Sequence, residues 1–210
     1  MSHLVLAGDS IFDNASYVPG CPAVCDQMKS WLGSDWKVTL LATDGAVCNN
    51  LSKQLEKIPD DTSHLCISIG GNDALFASGI MLDEKAMAMQ VIDKLAAVRT
   101  QFRADYLAML KQVMALRMPV VVCTIYDAIP EFSDREATGL ALFNDMIISC
   151  ASEYGIPVID LRKICDDRED FSKLSPIEPS ELGGAKIVSS IKNVILNHDF
   201  TSTRTCIYTN

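Results

Sequence analysis

Leu-Val-Leu-Ala-Gly-Asp-Ser, residues 4–10, is the stretch of this chain that decides its fold. Four apolar residues in a row are typical of a short strand buried on both faces of a sheet. Gly8 then lets the chain turn sharply, because it has no Cβ to clash with the backbone. Ser10 follows the carboxyl end of this strand, where open α/β sheets bind their ligands. Two interpretations stay open: Ser10 is a nucleophile, or Asp9 and Ser10 only cap the next segment.

Four further apolar runs have the character of strands, and a helical pattern separates each strand from the next. The predicted strands span residues 3–7, 36–42, 64–69, 119–125 and 156–160. The predicted helices span residues 21–33, 47–57, 84–117, 134–154 and 181–197. Such alternation indicates a parallel sheet with helices on both faces and right-handed crossovers. We therefore predict a doubly wound α/β fold with a five-stranded parallel sheet.

Length and composition predict a single domain over residues 1–210. The chain is 49% hydrophobic and 21% charged, which is typical of a globular protein with a sizeable core. Its formal net charge of −9 argues against nucleic acid or a membrane as partner. No secretory leader and no membrane-spanning apolar run is recognisable, so we expect a cytoplasmic protein. Residues 199–210 are polar and aperiodic, and we expect a surface tail or strap there.

The eight cysteines do not predict a disulfide framework or a metal site. Cys66, Cys123 and Cys150 lie within apolar or helical patterns, where cysteine behaves as a small buried hydrophobic residue. Cys21 and Cys25 could begin a metal site, but no second Cys/His pair follows at suitable spacing. No glycine-rich phosphate motif occurs in a strand-to-helix turn. We therefore predict neither a metal nor a cofactor.

Two more predicted strands end in residues that can donate hydrogen bonds. Gly45 follows the second strand, and Asn72 and Asp73 follow the third. Together with the Ser10 N–H, the Gly45 N–H and the Asn72 amide would place three donors at the carboxyl ends of adjacent strands. An acyl-transfer oxyanion needs such a cluster. The ordinary alternative is that Gly45 forms a turn and the Asn-Asp pair caps a helix.

These residues, taken in order, resemble the first three motif blocks of the SGNH (GDSL-type) hydrolases: Gly8-Asp9-Ser10, Gly45 and Gly70-Gly71-Asn72-Asp73. The resemblance runs over nearly the whole chain and ends in the segment before the last helix. It implies a flavodoxin-like three-layer sandwich and hydrolysis of esters or acetyl groups. It also implies that Ser10 is the nucleophile and that Gly45 and Asn72 complete the oxyanion hole.

The fourth block departs from the family pattern, which usually has Asp-x-x-His followed by Pro-Ser. Here Pro179-Ser180 is in place, but Ser175 stands at the Asp position and Glu178 at the His position. Histidine is the usual base that takes the serine proton. A free glutamate has a pKa of about 4.3, and burial can raise it to about 6–7, as a general base requires. Glu178 could instead steer a water, bind a substrate amine or hydroxyl, cap the helix or pair with a cation.

None of the three histidines is an obvious substitute for the missing one. His3 opens the first predicted strand at the end opposite Ser10, and His64 likewise opens the third strand. His198 lies beyond the last predicted helix. We expect all three at the surface.

Other residues could line the pocket of such an enzyme. Asp9, Asp73 and Tyr126 are candidate substrate contacts, since each lies at or near a strand end, although both aspartates could be structural caps. Residues 75–83 contain several apolar side chains and Gly79. They could form a lip over the pocket or a packed connector.

Three function classes compete on these observations. The first is a serine esterase or acylhydrolase that cleaves a small ester or acetyl group through Ser10, with Glu178 as candidate base. The second is a small-molecule binding protein that keeps the pocket but lacks turnover, which the absent histidine favours. The third, a phospho-acceptor switch, needs an Asp at the end of the third strand and a Lys near the fifth. The third strand ends in Gly70-Gly71-Asn72 and Arg162 is the cation nearest the fifth, so we discount the switch. The intact Ser10, Gly45 and Asn72 favour the hydrolase over the binding protein.

Overall fold

The structure, a computed structural model, describes residues 1–80 and 87–210. Its strands are β1 (Ser2–Gly8), β2 (Trp36–Leu40), β3 (His64–Ser68), β4 (Val120–Cys123), β5 (Val158–Ile159) and β6 (Ile207–Tyr208). They form one sheet in the order β2-β1-β3-β4-β5-β6, and every neighbouring pair is parallel. This order extends the flavodoxin-like order by one strand, and the predicted α/β class is confirmed.

The prediction of five strands is wrong, because the sheet has six. The sixth strand, β6, lies within residues 199–210, where we predicted a tail or strap. Its pairing with β5 uses backbone hydrogen bonds: the Val158 N–H donates to the Cys206 carbonyl at 2.9 Å, and the Asp160 N–H to the Tyr208 carbonyl at 2.8 Å. Two residues of backbone pairing leave no periodic side-chain pattern, so the sequence carries no signal for this strand.

Helices cover both faces of the sheet. They are α1 (Val24–Leu32), α2 (Leu51–Leu55), α3 (Gly71–Ala77), α4 (Ala88–Ala115), α5 (Asp134–Glu153), α6 (Leu161–Ile164) and α7 (Glu181–Asn197). Alternate β1 residues face opposite layers: Val5 packs in the core shared with α2, α4 and α5, and Leu6 in the core shared with α1, α6 and α7. Along the described residues, no helix is long and apolar enough to cross a membrane.

The predicted helix 84–117 and the predicted lip 75–83 fall partly outside the described residues. Residues 84–86 of the helix and 81–83 of the lip lie in the part that is not described. Within the described part, α4 runs over most of the predicted helix. Residues 75–77 belong to α3, and a single helical turn follows at residues 78–80.

The carboxyl end of β1 fits against β3 only because residue 8 is glycine. Gly8 has a φ of 126°, and a Cβ there would lie 1.8 Å from the Ser68 carbonyl oxygen. The buried Gln54 side chain bonds both sides of Gly8, accepting from its N–H at 2.7 Å and donating to its carbonyl at 2.8 Å. The turn that presents Ser10 therefore begins from a fixed point on the sheet.

We predict that Gly8→Ala lowers the free energy of unfolding by about 3 kcal/mol or more, because the methyl group cannot fit beside the Ser68 backbone. The matched control is Gly20→Ala. Gly20 also has a positive φ, 82°, but its Cβ position is open, so only the backbone cost of about 1–2 kcal/mol applies. Urea unfolding of both variants measures the difference. Equal losses in the two variants would contradict the proposed clash.

Candidate active site

Ser10 and Glu178 meet at the carboxyl end of the sheet. The Ser10 hydroxyl donates to Glu178 Oε1 at 2.9 Å, across 168 residues of sequence. Both side chains are nearly enclosed, with exposures of 7% for Ser10 and 4% for Glu178. The structure thus places the predicted nucleophile and the predicted base in direct contact.

Glu178 lies in a segment that folds back on itself before α7. The Ser172 N–H donates to the Glu178 carbonyl at 2.8 Å, and the Ser180 N–H donates to the Asp170 carbonyl at 2.8 Å. A turn closes the loop, since the Glu178 N–H donates to the Ser175 carbonyl at 3.0 Å. These backbone bonds fix the place from which the carboxyl group points.

Two side chains from elsewhere hold the residues on either side of Glu178. Asn14 Nδ2 donates to the Pro179 carbonyl at 3.1 Å, and its Oδ1 accepts from the Val24 N–H at 2.9 Å. The Tyr126 hydroxyl donates to the Ile177 carbonyl at 2.6 Å. Asn14 follows the Ser10 turn, so the loops that carry nucleophile and base are tied to each other directly. The sequence gives no signal for this contact, which joins residues 165 positions apart.

The Glu178 carboxyl titrates in the neutral range. Burial raises its pKa to about 7; the hydrogen bond from Ser10 lowers it, and the nearby Asp44 charge raises it. Its second oxygen, Oε2, is buried with no hydrogen-bond partner among the described residues. The ionised carboxylate is thus stabilised by one hydroxyl only, which makes it a stronger base than a solvated glutamate.

Asp9 lies in the same cavity and keeps its proton at a higher pH. Burial raises the pKa of Asp9 to about 8, the Ile11 N–H that donates to its Oδ1 lowers it, and the charges of Glu178 and Asp73 raise it further. Glu178 therefore ionises first, while Asp9 is still neutral. This order avoids two adjacent buried negative charges at neutral pH.

Of the three predicted oxyanion donors, Ser10 and Asn72 line the cavity and Gly45 does not. No acceptor for the N–H of Ser10 or of Gly45 is found within residues 1–80 and 87–210. Asn72 Nδ2 donates to the Ala46 carbonyl at 3.0 Å, which fixes the amide and leaves its second hydrogen for a ligand. Asn72 lines the cavity together with Ser10. Gly45 occupies an exposed turn one residue before Ala46 and does not line the cavity.

The other two predicted substrate contacts have structural partners. Asp73 Oδ2 accepts from the Cys48 N–H at 3.1 Å, so it ties the segment after Gly45 to α3, and it does not line the cavity. Burial raises the pKa of Asp73. Tyr126 lines the cavity, but its hydroxyl is bonded to the chain at Ile177. Their contact with substrate stays a prediction.

None of the three histidines lines the cavity. His3, expected at the surface, is 2% exposed. It is buried at little cost because both ring nitrogens have partners at 2.8 Å, Asp61 and Thr39. His198 Nδ1 is 2.8 Å from the Tyr208 hydroxyl. His64 packs against Trp36 at the amino end of the sheet, and both it and His198 are half-buried.

The cavity above the strand ends has a volume of about 380 Å³, within the usual range for small-molecule sites. Its polar end contains Asp9, Ser10, Asn72 and Glu178. Apolar side chains form most of the remaining wall. A buried hydroxyl on a base, with donors beside it and an apolar cavity in front, is suited to acyl transfer.

The GDSL-like lipase/acylhydrolase family matches residues 6–185. The chain belongs to this family. The match spans β1 to the first turns of α7, and so includes both Ser10 and Glu178. No curated protein matches the chain.

Solved structures of family enzymes share the fold. The lipase Lip_vut3 from a goat rumen metagenome has a TM-score of 0.73 at 18% identity, covering 91% of this chain and 96% of that one. The lipase/acylhydrolase of Enterococcus faecalis has a TM-score of 0.63 at 24% identity, covering 92% and 96%. The acetyl xylan esterase AlAXEase has a TM-score of 0.67 at 15% identity, covering 92% and 99%. At these identities the likeness shows the fold.

The raised pKa of Glu178 predicts a pH-dependent cost to stability. The folded chain keeps this proton up to about pH 7, whereas the unfolded chain releases it near 4.5. The Glu178 contribution to the free energy of unfolding therefore falls as the pH rises through this window, by up to about 1.4 kcal/mol per pH unit. Glu178→Gln removes this loss. The free energy of unfolding of the variant should therefore increase relative to that of the wild type as the pH rises.

Urea unfolding of wild type and variant at several pH values between about 4.5 and 8 measures the gain. The matched control is Glu56→Gln, at a solvent-exposed glutamate, which should run parallel to the wild type. A constant difference between Glu178→Gln and the wild type across the window would contradict the burial argument.

Proposed function

We propose that this protein is a serine ester hydrolase in which Ser10 is the nucleophile and Glu178 is the general base. One observation carries the proposal: the buried 2.9 Å hydrogen bond from the Ser10 hydroxyl to Glu178 at the polar end of the cavity. Nucleophile and base within hydrogen-bond reach are the signature of covalent acyl transfer. Membership of the acylhydrolase family supports the same reaction class.

The reaction would run in two halves. Ionised Glu178 accepts the Ser10 proton as Oγ attacks the ester carbonyl, and negative charge builds on the carbonyl oxygen. The Ser10 N–H and the second Asn72 hydrogen would donate to that oxygen, since both residues line the cavity and Gly45 does not. Protonated Glu178 then gives its proton to the departing alcohol, which leaves an acyl-serine. Water, deprotonated by Glu178, attacks the acyl-serine and releases the acid and free Ser10.

A binding protein without turnover is the second candidate, and one observation favours it. In a Ser-His-Asp triad a third group orients and stabilises the base. Here the corresponding atom, Glu178 Oε2, has no hydrogen-bond partner within the described residues. On this alternative, Ser10 and Asn72 would only contact a ligand that lies in the cavity.

Ser10→Ala separates the two candidates. For a hydrolase, we expect kcat/KM on a nitrophenyl ester to fall by about a thousandfold or more, because the covalent step is lost. Ser34→Ala, at an exposed serine, is the matched control and should keep wild-type rates. Purified wild type that shows no turnover above buffer between about pH 5 and 8 would leave the binding protein as the better account.

The pH profile tests the base. The wild-type kcat/KM should fall tenfold per pH unit below about 7, since only ionised Glu178 accepts the Ser10 proton. Above about pH 8 a second fall is expected, because ionised Asp9 would place a negative charge beside the developing oxyanion.

Two isosteric variants distinguish the fall in rate at low pH (the acid limb of the profile) from the fall at high pH (the alkaline limb). Glu178→Gln should cost about 100- to 10,000-fold in rate and flatten the acid limb, whereas Asp9→Asn should keep the acid limb and lose the alkaline one. Initial rates across the pH range measure both. An unchanged acid limb in Glu178→Gln would remove Glu178 from the mechanism.

A further inference from the structure

The cavity in front of Ser10 is deep and mostly apolar. Beyond the polar end it is lined by side chains from α3, from the segment after β4 and from α5, chiefly Leu75, Ile125, Ile129, Phe132, Leu140 and Phe143. Apart from Leu75, which is 48% exposed, these side chains belong to or pack against the two main cores, so that part of the wall is firm. A ligand that fills this space must itself be apolar.

Several polar groups along the wall already have partners. The Ser78 hydroxyl donates to the Leu75 carbonyl at 2.7 Å. Ser133 and Glu136 bond each other in the capping box of α5, at 2.8 and 2.9 Å. The Tyr126 hydroxyl is held by Ile177. Away from the exposed Arg135, which also lines the cavity, a sugar or a peptide would lose its hydration with few hydrogen bonds in return, whereas an alkyl chain loses nothing.

The direction of the cavity relative to Glu178 indicates which half of an ester it holds. Glu178 stands on the segment before α7, on the sheet face that packs with α1 and α7. Most of the apolar wall is formed by α3 and α5 on the other face, with Tyr126, Ile129 and Ile177 completing it near Glu178. In the proposed mechanism the alcohol departs next to Glu178, which protonates it. The acyl chain then extends away from Glu178, into the cavity.

The volume gives the approximate length of that chain. The 380 Å³ cavity has room for roughly a dozen groups of the size of one water molecule. An acetyl group would leave most of this apolar space unfilled. The expectation of a small ester or acetyl group, drawn from sequence, does not take this space into account.

We infer that the substrate is an ester of an unbranched apolar acid of medium length, roughly six to ten carbons, whose chain lies between α3 and α5. The inference rests on the proposed hydrolase function. Gly139 is the position at which this length can be tested. It lines the cavity from the second turn of α5, where glycine costs about 0.5–1 kcal/mol relative to alanine, and we expect a larger side chain there to take up cavity space.

The test is a series of nitrophenyl esters from acetate to decanoate. In the wild type, kcat/KM should rise about fourfold per added methylene up to about octanoate. Gly139→Leu should lower kcat/KM on octanoate by at least tenfold and leave acetate within about twofold, because only the far part of the cavity is filled. Ala141→Leu, on the exposed side of α5, is the matched control and should keep the wild-type profile.

Two additions keep the test decisive. If Gly139→Leu does not fold, Ala77→Leu on α3 fills the cavity from the opposite wall. A second series, in which the alcohol lengthens while the acyl group stays acetyl, should be nearly flat. A steep alcohol series with a flat acyl series would overturn the inference.

Failure of the inference can be told from failure of the proposed function. Ester hydrolysis that depends on Ser10 but is fastest on acetate overturns the inference and leaves the hydrolase in place. If no ester is cleaved, calorimetric titration of Ser10→Ala with 1-butanol, 1-hexanol and 1-octanol decides. Affinity that rises about fourfold per methylene and is lost in the Gly139→Leu background supports the apolar chain site; no binding of any alcohol overturns it.

Discussion

The hydrogen bond between Ser10 and Glu178 is the contact on which the rest of the site depends. A buried carboxylate is costly unless it is paired and hydrogen-bonded, and from residues 1–80 and 87–210 this one receives a single hydroxyl hydrogen bond. The fold supports it indirectly, by holding the backbone on both sides through Asn14 and Tyr126. Burial then raises the pKa of Glu178 to about 7, into the range where a carboxylate can act as a base near neutrality.

The sequence predicted the fold well where side chains carry a pattern and failed where they do not. β1 and β4 are continuous apolar runs because both of their faces are buried, and this makes them recognisable. α5 begins where the helical pattern begins, and Ser133 caps it in a capping box with Glu136. β6 could not be found, since it consists of two residues whose pairing uses only backbone groups.

The residues of the candidate site could likewise be predicted only where the sequence carries a pattern. Ser10, Asn72 and Glu178 were found because they occupy ordered motif positions, and the structure brings all three to one cavity. The side chains that hold them are unremarkable in sequence: Gln54 reaches Gly8 across 46 residues, and Asn14 reaches Pro179 across 165. The cavity itself was also hidden, because its apolar wall has the helical spacing of ordinary core residues. Only the three-dimensional structure shows which of these apolar side chains line the cavity and which lie in the core.

Replacing histidine by glutamate changes the charge balance of the proposed reaction. A neutral histidine that takes the serine proton becomes a cation, so an ion pair forms from neutral groups in the transition state. Glu178 becomes neutral when it takes the proton, and its negative charge passes to the carbonyl oxygen. The total charge of the site is constant, so an apolar surrounding does not oppose the step, provided that the oxyanion donors hold the charge better than one hydroxyl does. Asp9 must stay protonated for this to hold, and its burial, which raises its pKa to about 8, favours the protonated form at neutral pH. The apolar cavity therefore makes Glu178 a better base, and the use of a carboxylate makes an apolar cavity compatible with the reaction. A solvated glutamate in an open cleft would be a poor base.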